Sequence, residues 1–236
     1  MSGRARIVCH RGACRLAPEN TLASALKALS LGGDIVEIDV RQGADGALWL
    51  MHDATVDRTT DGTGAIADMD ARAVARLDAG GWFDPASRGE PVPRLEDFLA
   101  AMRGRGGVYV EVKAADAAAV GRAVTAAALP HEVFAYSEDA ALRAALRAAA
   151  PGLRRMTNVR DVADLDAALR VEQAQILEFH AADFSADAVA AAQARGLAAM
   201  VYSDEPDRDL FAAALAAGAD YLNTDFPEMV RALRDA

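Results

Sequence analysis

The chain has 236 residues, 53% of them hydrophobic and 25% charged, with a formal net charge of −10. That balance argues against a nucleic-acid partner, because gripping a phosphate backbone needs clustered Lys and Arg. Two cysteines, Cys9 and Cys14, are too few for a disulfide framework and lack zinc-site spacing.

In chain order, short apolar runs alternate with amphipathic, Ala-rich stretches. The opening segment, MSGRARIVCHRG, contains the first run and lacks the long apolar core of a signal peptide. A cytoplasmic protein with no integral membrane segment is the expectation, since no run approaches the length of a span. NTLASALKALSLG reads as the first helix, and DIVEIDV as the second strand. From Gly43 to about Pro93 the pattern breaks into Gly, Asp, Thr and Pro, with a short strand ALWLMHD and no long helix. Long irregular segments in compact domains are usually lids or binding loops. This one reads as an insertion after strand two, lying over the mouth of the fold. Strand candidates then resume at GVYVEVK, EVFAY, LRRMT, AQILEF, LAAMVY and DYLNT, with helix candidates between them and PEMVRALRDA at the end. Several helices open on Ser, Asp, Asn or Pro and close on Gly, as helix start and stop signals do.

Strands alternating with helices imply βαβ units and a parallel sheet. Eight of each in a chain this long fit a (β/α)8 TIM barrel as one domain, 1–236, with its insertion at roughly 43–93. A doubly wound open sheet is the runner-up. No G-x-G-x-x-G follows the first strand, which removes one support for it.

The second strand poses a chemical question. Glu37 and Asp39 share one face of DIVEIDV, while Val36, Ile38 and Val40 share the other. If the aliphatic face meets helices, the two acids point into the barrel near its C-terminal end, where such folds place their sites. Like charges that close need a shared proton, neighbouring cations or a bound metal. In VYVEVK the arrangement repeats: Glu111 and Lys113 on one face, Val110 and Val112 on the other. A solvated strand face explains the first pair alone as well as a site does; the repeat favours a site. Three carboxylates suit a hard divalent ion, Mg²⁺ or Ca²⁺, better than zinc.

His10 ends the first strand and His52 ends ALWLMHD, both on the side of the acids. Together they read as an acid and a base. His131 falls at a helix-to-strand junction, at the wrong end. His180 ends strand six at the right end, where packing is the simpler role and a substrate contact the other. Trp82 and Phe83, in GGWFDP, suit either a lid over a substrate or a plug anchoring the insertion.

Together these residues resemble the glycerophosphodiester phosphodiesterase family. The matching motifs are His10-Arg11-Gly12, Pro18-Glu19-Asn20-Thr21, Glu37-x-Asp39, Asp45-Gly46, His52-Asp53, Arg58-Thr59-Thr60 with Gly62 and Gly64, and Glu111-x-Lys113. YSEDAALRAAL and YLNTDFPE extend the resemblance to almost the whole chain. It implies a TIM barrel and hydrolysis of a small glycerophosphodiester to glycerol 3-phosphate and an alcohol, with a divalent metal. By position, Glu37, Asp39 and Glu111 would ligate the metal, His10 and His52 would be the acid/base pair, and Arg11 and Lys113 would hold the phosphate. Two features depart. Cys14 stands where a small residue is common; packing is its simplest role and a regulatory thiol the alternative. Strand seven keeps an aromatic at Tyr202 but lacks the Asn that often follows in VYSDEP, which leaves the leaving-group side of the pocket undefined. A sphingomyelinase-D-like or lysophospholipase-D-like enzyme shares part of the constellation. A catalytically silent metal- or phosphate-binding barrel would need a broken one.

Overall fold

The structure, a computed structural model, describes residues 4–236. Among these residues nine strands form one sheet: β1 (Arg6–Cys9), β2 (Ile35–Gln42), β3 (Leu48–Leu50), β4 (Gly107–Ala114), β5 (Val133–Tyr136), β6 (Arg154–Asn158), β7 (Ile176–His180), β8 (Ala198–Ser203) and β9 (Tyr221–Thr224). All but β3 are parallel, and pairing of β1 with both β9 and β2 closes them into an eight-stranded barrel. The fold is a TIM barrel, and the open doubly wound sheet is ruled out. Strand β3 runs antiparallel to β2 as an outlying edge strand.

Helices α1 (Leu22–Ser30), α2 (Ala71–Val74), α3 (Leu95–Met102), α4 (Ala117–Ala127), α5 (Ala140–Ala149), α6 (Leu165–Arg170), α7 (Ala186–Gln193), α8 (Arg208–Ala216) and α9 (Pro227–Arg234) complete the order. Ala-rich sequence favours these helices intrinsically. Their starts are set by capping: Thr21, Asp116, Asp139, Asp164, Ser185 and Asp207 each accept a backbone N–H of the first turn. Each such cap is worth about 1 kcal/mol. No helix is long and apolar enough to cross a membrane.

Strand parity sorts the side chains. Val36, Ile38, Val40, Val108, Val110 and Val112 pack outward with Ala25, Phe98, Leu99 and Val120 of the surrounding helices. The inward face has an apolar floor of Val8, Ile35, Tyr109, Phe134, Met156, Ile176, Met200 and Tyr221. Above it the inward positions turn polar. That change along the barrel axis places the chemistry at the C-terminal end, as the acids on β2 and β4 require.

The segment between β2 and α3 carries β3, the one-turn helix α2 and a small core of its own from Trp49, Met51, Val56, Ile66, Val74, Ala79 and Val92. ALWLMHD is strand only over Leu48–Leu50, so His52 lies two residues past the strand rather than on it. His131 is exposed between α4 and β5, at the far end.

Candidate active site

Glu37 and Asp39 are fully buried, and Asp39 stands beside Glu111 in the register of β2 with β4. One carboxylate oxygen from each of the three lies within 4.8 Å of the others. Burial, then the charges of Asp39 and Glu111, drive the Glu37 carboxyl well above the usual carboxylate range. Burial and Asp39 push Glu111 the same way. Lys113 contacts Glu111 and sits 3.5 Å from Asp39; burial disfavours its charge, but the two acids outweigh it and hold the ammonium charged. Glu37 Oε1 is buried with no hydrogen-bond partner. An orphaned carboxylate oxygen among three converging acids fits a divalent cation, and the all-oxygen donor set fits Mg²⁺ or Ca²⁺.

The cluster is held from the loop after β1. Arg11 adopts φ +54° and donates its backbone N–H to Glu37 Oε2 at 2.7 Å. A positive φ at a non-glycine is strained and clusters at functional sites. The next residue must be glycine: Gly12 has φ +82°, and a Cβ there would meet Ser24 Oγ at 2.4 Å. Asn20, also at positive φ, clamps Asp39 twice, donating from Nδ2 to Oδ2 at 2.7 Å and accepting the Asp39 N–H at 2.9 Å. The Arg11 side chain reaches Glu19 at 3.2 Å and lies 3.3 Å from Asp39.

Both histidines are backed by a carboxylate. His10, just past β1, places Nδ1 2.8 Å from Asp225 Oδ1, and Asp225 also accepts from Arg15 Nε at 3.0 Å. His52 places Nδ1 2.6 Å from Asp53 Oδ1. Hydrogen bonds from Arg58, then His52, pull the Asp53 carboxyl below its ordinary range despite burial. Arg58 in turn holds Glu19 with two bonds of 2.8 Å. A continuous chain thus runs His52–Asp53–Arg58–Glu19–Arg11–Asp39. With each Nδ1 committed, Nε2 is the ring nitrogen each histidine leaves free.

Two cavities meet here. One of about 180 Å³ touches His10, Arg11, His52, Lys113, Glu178 and Asn223. The other, about 470 Å³, touches His10, Arg15, Trp82, Phe83, Asp204 and Asp225. Tyr202 borders both and stands edge-on between the rings of His10 and His180, at 5.2 Å from each. All the site residues expected from sequence therefore lie at one end of the barrel, Trp82 in the second cavity and His180 in the first. Cys14 borders the second cavity, where burial and Asp225 keep its thiol protonated.

Several participants carried no assigned role in the sequence. Glu19, Asn20, Asp53 and Arg58 sit inside the matching motifs, and Arg58, which reads as part of a plain turn, is in fact a bridge. Asp225 lies 215 positions from His10, and nothing local pairs them. Glu178 was legible: in ILEFH it shares parity with Ile176 and His180, opposite Leu177 and Phe179.

Comparison with known proteins agrees with this geometry. The family model for the glycerophosphoryl diester phosphodiesterase family matches residues 10–229. The chain belongs to that family. Among solved structures, a glycerophosphodiester phosphodiesterase from Agrobacterium tumefaciens is 39% identical with a TM-score of 0.92, over 97% of this chain and 99% of that one. A phosphodiesterase from Oleispira antarctica, in complex with the product sn-glycerol-3-phosphate, is 26% identical with a TM-score of 0.89, over 98% and 97%. A glycerophosphodiester phosphodiesterase of Bacillus subtilis is 37% identical over 117 residues, 46% of this chain and 40% of that protein. The chain's matches span less than half the length of such curated relatives of the glycerophosphoryl diester phosphodiesterase family.

Proposed function

We propose that this chain hydrolyses glycerophosphodiesters to sn-glycerol 3-phosphate and an alcohol. The observation that carries the reading is the convergence, at one barrel mouth, of three carboxylates, two of them buried, with two carboxylate-backed histidines. The family and the Oleispira antarctica complex with sn-glycerol-3-phosphate support it. The same reading takes 1–236 as one domain, with 43–93 as its insertion.

A phosphodiester is a poor electrophile because its negative charge repels nucleophiles. A divalent cation, Mg²⁺ or Ca²⁺, held by Glu37, Asp39 and Glu111 would supply neutralisation of that charge as it grows in the transition state. Arg11 and Lys113, at the rim of the same cluster, grip the remaining phosphate oxygens. One histidine accepts a proton at Nε2 from the nucleophile: water gives glycerol 3-phosphate directly, whereas the glycerol 2-hydroxyl gives a cyclic phosphate that a water then opens to the same product. The other donates its Nε2 proton to the oxygen of the departing alcohol. Each transfer contributes roughly 10²–10⁴ in rate. Asp225 and Asp53 keep both rings oriented and stabilise whichever becomes imidazolium. Tyr202 packs edge-on against the His10 ring, 5.2 Å between centres.

A sphingomyelinase-D-like or lysophospholipase-D-like activity is the second reading. The polar wall of the smaller cavity, with Asn158, Glu178 and Asn223, favours a free glycerol over an acylated one. The test is product analysis on glycerophosphocholine and glycerophosphoethanolamine. Glycerol 3-phosphate and the free amino alcohol should appear, EDTA should abolish turnover, and added Mg²⁺ or Ca²⁺ should restore it. Release of a phosphorylated head group instead would overturn the direction of cleavage, and turnover indifferent to chelator would overturn the metal.

A further inference from the structure

Glu178 is a buried acid that the chemistry above does not use. It sits on β7 in register with Asn158 of β6 and Met200 of β8. Its neighbours Leu177 and Phe179 pack outward among helices, so Glu178 points into the barrel. Beneath it lies the apolar floor of Met156, Ile176 and Met200. Asn158 Nδ2 donates to its Oε2 at 3.3 Å, and Asn223 Nδ2 donates to its Oε1 at 3.1 Å. No Lys or Arg among the described residues forms an ion pair with it.

This is an expensive arrangement for a structural clamp. An ionised carboxyl group on an apolar floor without a cation is costly relative to water, whereas an amide could bridge two asparagines without charge. Burial pushes the group up to about 7, with the Glu111 charge adding to the effect. The surroundings are also incomplete. Asn223 is buried, and its Oδ1 has no hydrogen-bond partner. Glu178 and Asn223 both line the 180 Å³ cavity, which Glu37, Glu111 and Lys113 also line. What this wall lacks is a neutral donor. A phosphate would meet only acceptors there, the Glu178 carboxyl oxygens that the asparagines hold and the spare carbonyl of Asn223. A hydroxyl supplies what both acceptors need.

We propose that Glu178 is a specificity-determining residue that, with Asn223, accepts a hydrogen bond from the terminal hydroxyl of the substrate's glycerol. The proposal rests on the diesterase reading above and names what that site selects. With phosphate at Arg11 and Lys113, the glycerol extends across the small cavity to β7 and β9. A volume of about 180 Å³ falls below the roughly 300–1,000 Å³ usual for drug-sized ligands, and suits a three-carbon polyol. An acyl chain on that hydroxyl would remove the donor and press methylenes against Glu178, leaving buried polar groups unpaired. The departing alcohol then occupies the larger cavity beyond Tyr202, beside Trp82 and Phe83.

The test compares kcat/KM for glycerophosphocholine, for the propane-1,2-diol analogue lacking the terminal hydroxyl, and for monomeric 1-acyl lysophosphatidylcholine. Sites built to bond a hydroxyl reject the analogue lacking it by up to 10⁴–10⁵, so a wild-type preference of at least about 100-fold for glycerophosphocholine is expected. Glu178→Leu should lose most of that ratio, by slowing glycerophosphocholine while leaving the deoxy analogue equal or faster. Glu178→Gln, close in shape and able to fold where Leu does not, should reduce the ratio by about 10-fold, since the amide keeps an acceptor without the charge. An unchanged ratio in a folded variant would overturn the hydroxyl assignment alone, leaving the diesterase reading standing. A wild-type enzyme that turns over none of the three, with Mg²⁺ or Ca²⁺ supplied, would overturn that reading first and the assignment with it.

Discussion

Two carboxylates decide which nitrogen His10 and His52 leave free. Asp225 and Asp53 each take up an Nδ1, at 2.8 Å and 2.6 Å, which leaves Nε2 free; under the proposed mechanism that is where the proton moves. Asp225→Asn keeps the size of the side chain but can donate to Nδ1, which favours the tautomer with its proton on the wrong nitrogen. We expect kcat to fall by about 10²-fold or more, with KM changing little, as when the orienting acid of a triad is replaced by its amide. Steady-state kinetics on a variant with an unaltered melting curve checks this; a KM rise at constant kcat would show Asp225 to act in binding instead. At this scale the sequence was partly legible. The parity of Glu37 and Asp39 against Val36, Ile38 and Val40 revealed which way the acids point. Glu178 followed the same rule on β7. Asp225 did not announce itself, because its partner is far along the chain and meets it only when β9 closes on β1.

Among the elements, the loops after β1 and β3 form one unit. RTTDG has the composition of a turn, and its Thr60 hydroxyl does bond the Val56 carbonyl at 2.8 Å. Its arginine, however, spans both loops, holding Asp53 on one side and Glu19 on the other. The effect is to fix His52 relative to Arg11 and Asn20, and through them to the acid cluster. Because the Arg58 side chain is 43% exposed, its loss should cost only about 1 kcal/mol of stability. Positional looseness at His52 should cost more: Arg58→Ala is expected to lower kcat about 10-fold or more, since small misplacements of catalytic groups are expensive. Near wild-type kcat with a large drop in thermal midpoint would reverse that ranking and make Arg58 a stability residue. The elements themselves were readable from sequence, since alternating parity and N-terminal caps are local signals. The bridge was not, because an arginine in a loop declares no partner.

For the whole molecule, closure of the barrel concentrates repulsion. Three acids from neighbouring strands converge at one mouth of a chain whose formal charge is already −10. A divalent ion binding only the folded form should stabilise it by about 2.7 kcal/mol at 100 times its Kd. For a domain near this size that corresponds to a rise of roughly 5–10 °C in thermal midpoint. The shift should be largely lost in Glu37→Gln, and it reads metal binding without any substrate. A midpoint unmoved by saturating Mg²⁺ and Ca²⁺ would remove the metal from Glu37, Asp39 and Glu111. By itself, the sequence determined the alternation of strands and helices, the inward face of β2 and β4, and the oxygen-rich donor set. These follow from periodicity and residue chemistry, which neighbouring residues encode. Only the tertiary structure decided that Asp225 backs His10, that Arg58 ties His52 to the acid cluster, and that Tyr202 stands between two cavities of different size. The first of these contacts joins the two ends of the chain and exists only because the sheet curls until β1 and β9 pair; the others need neighbouring strands laid side by side before their loops can meet.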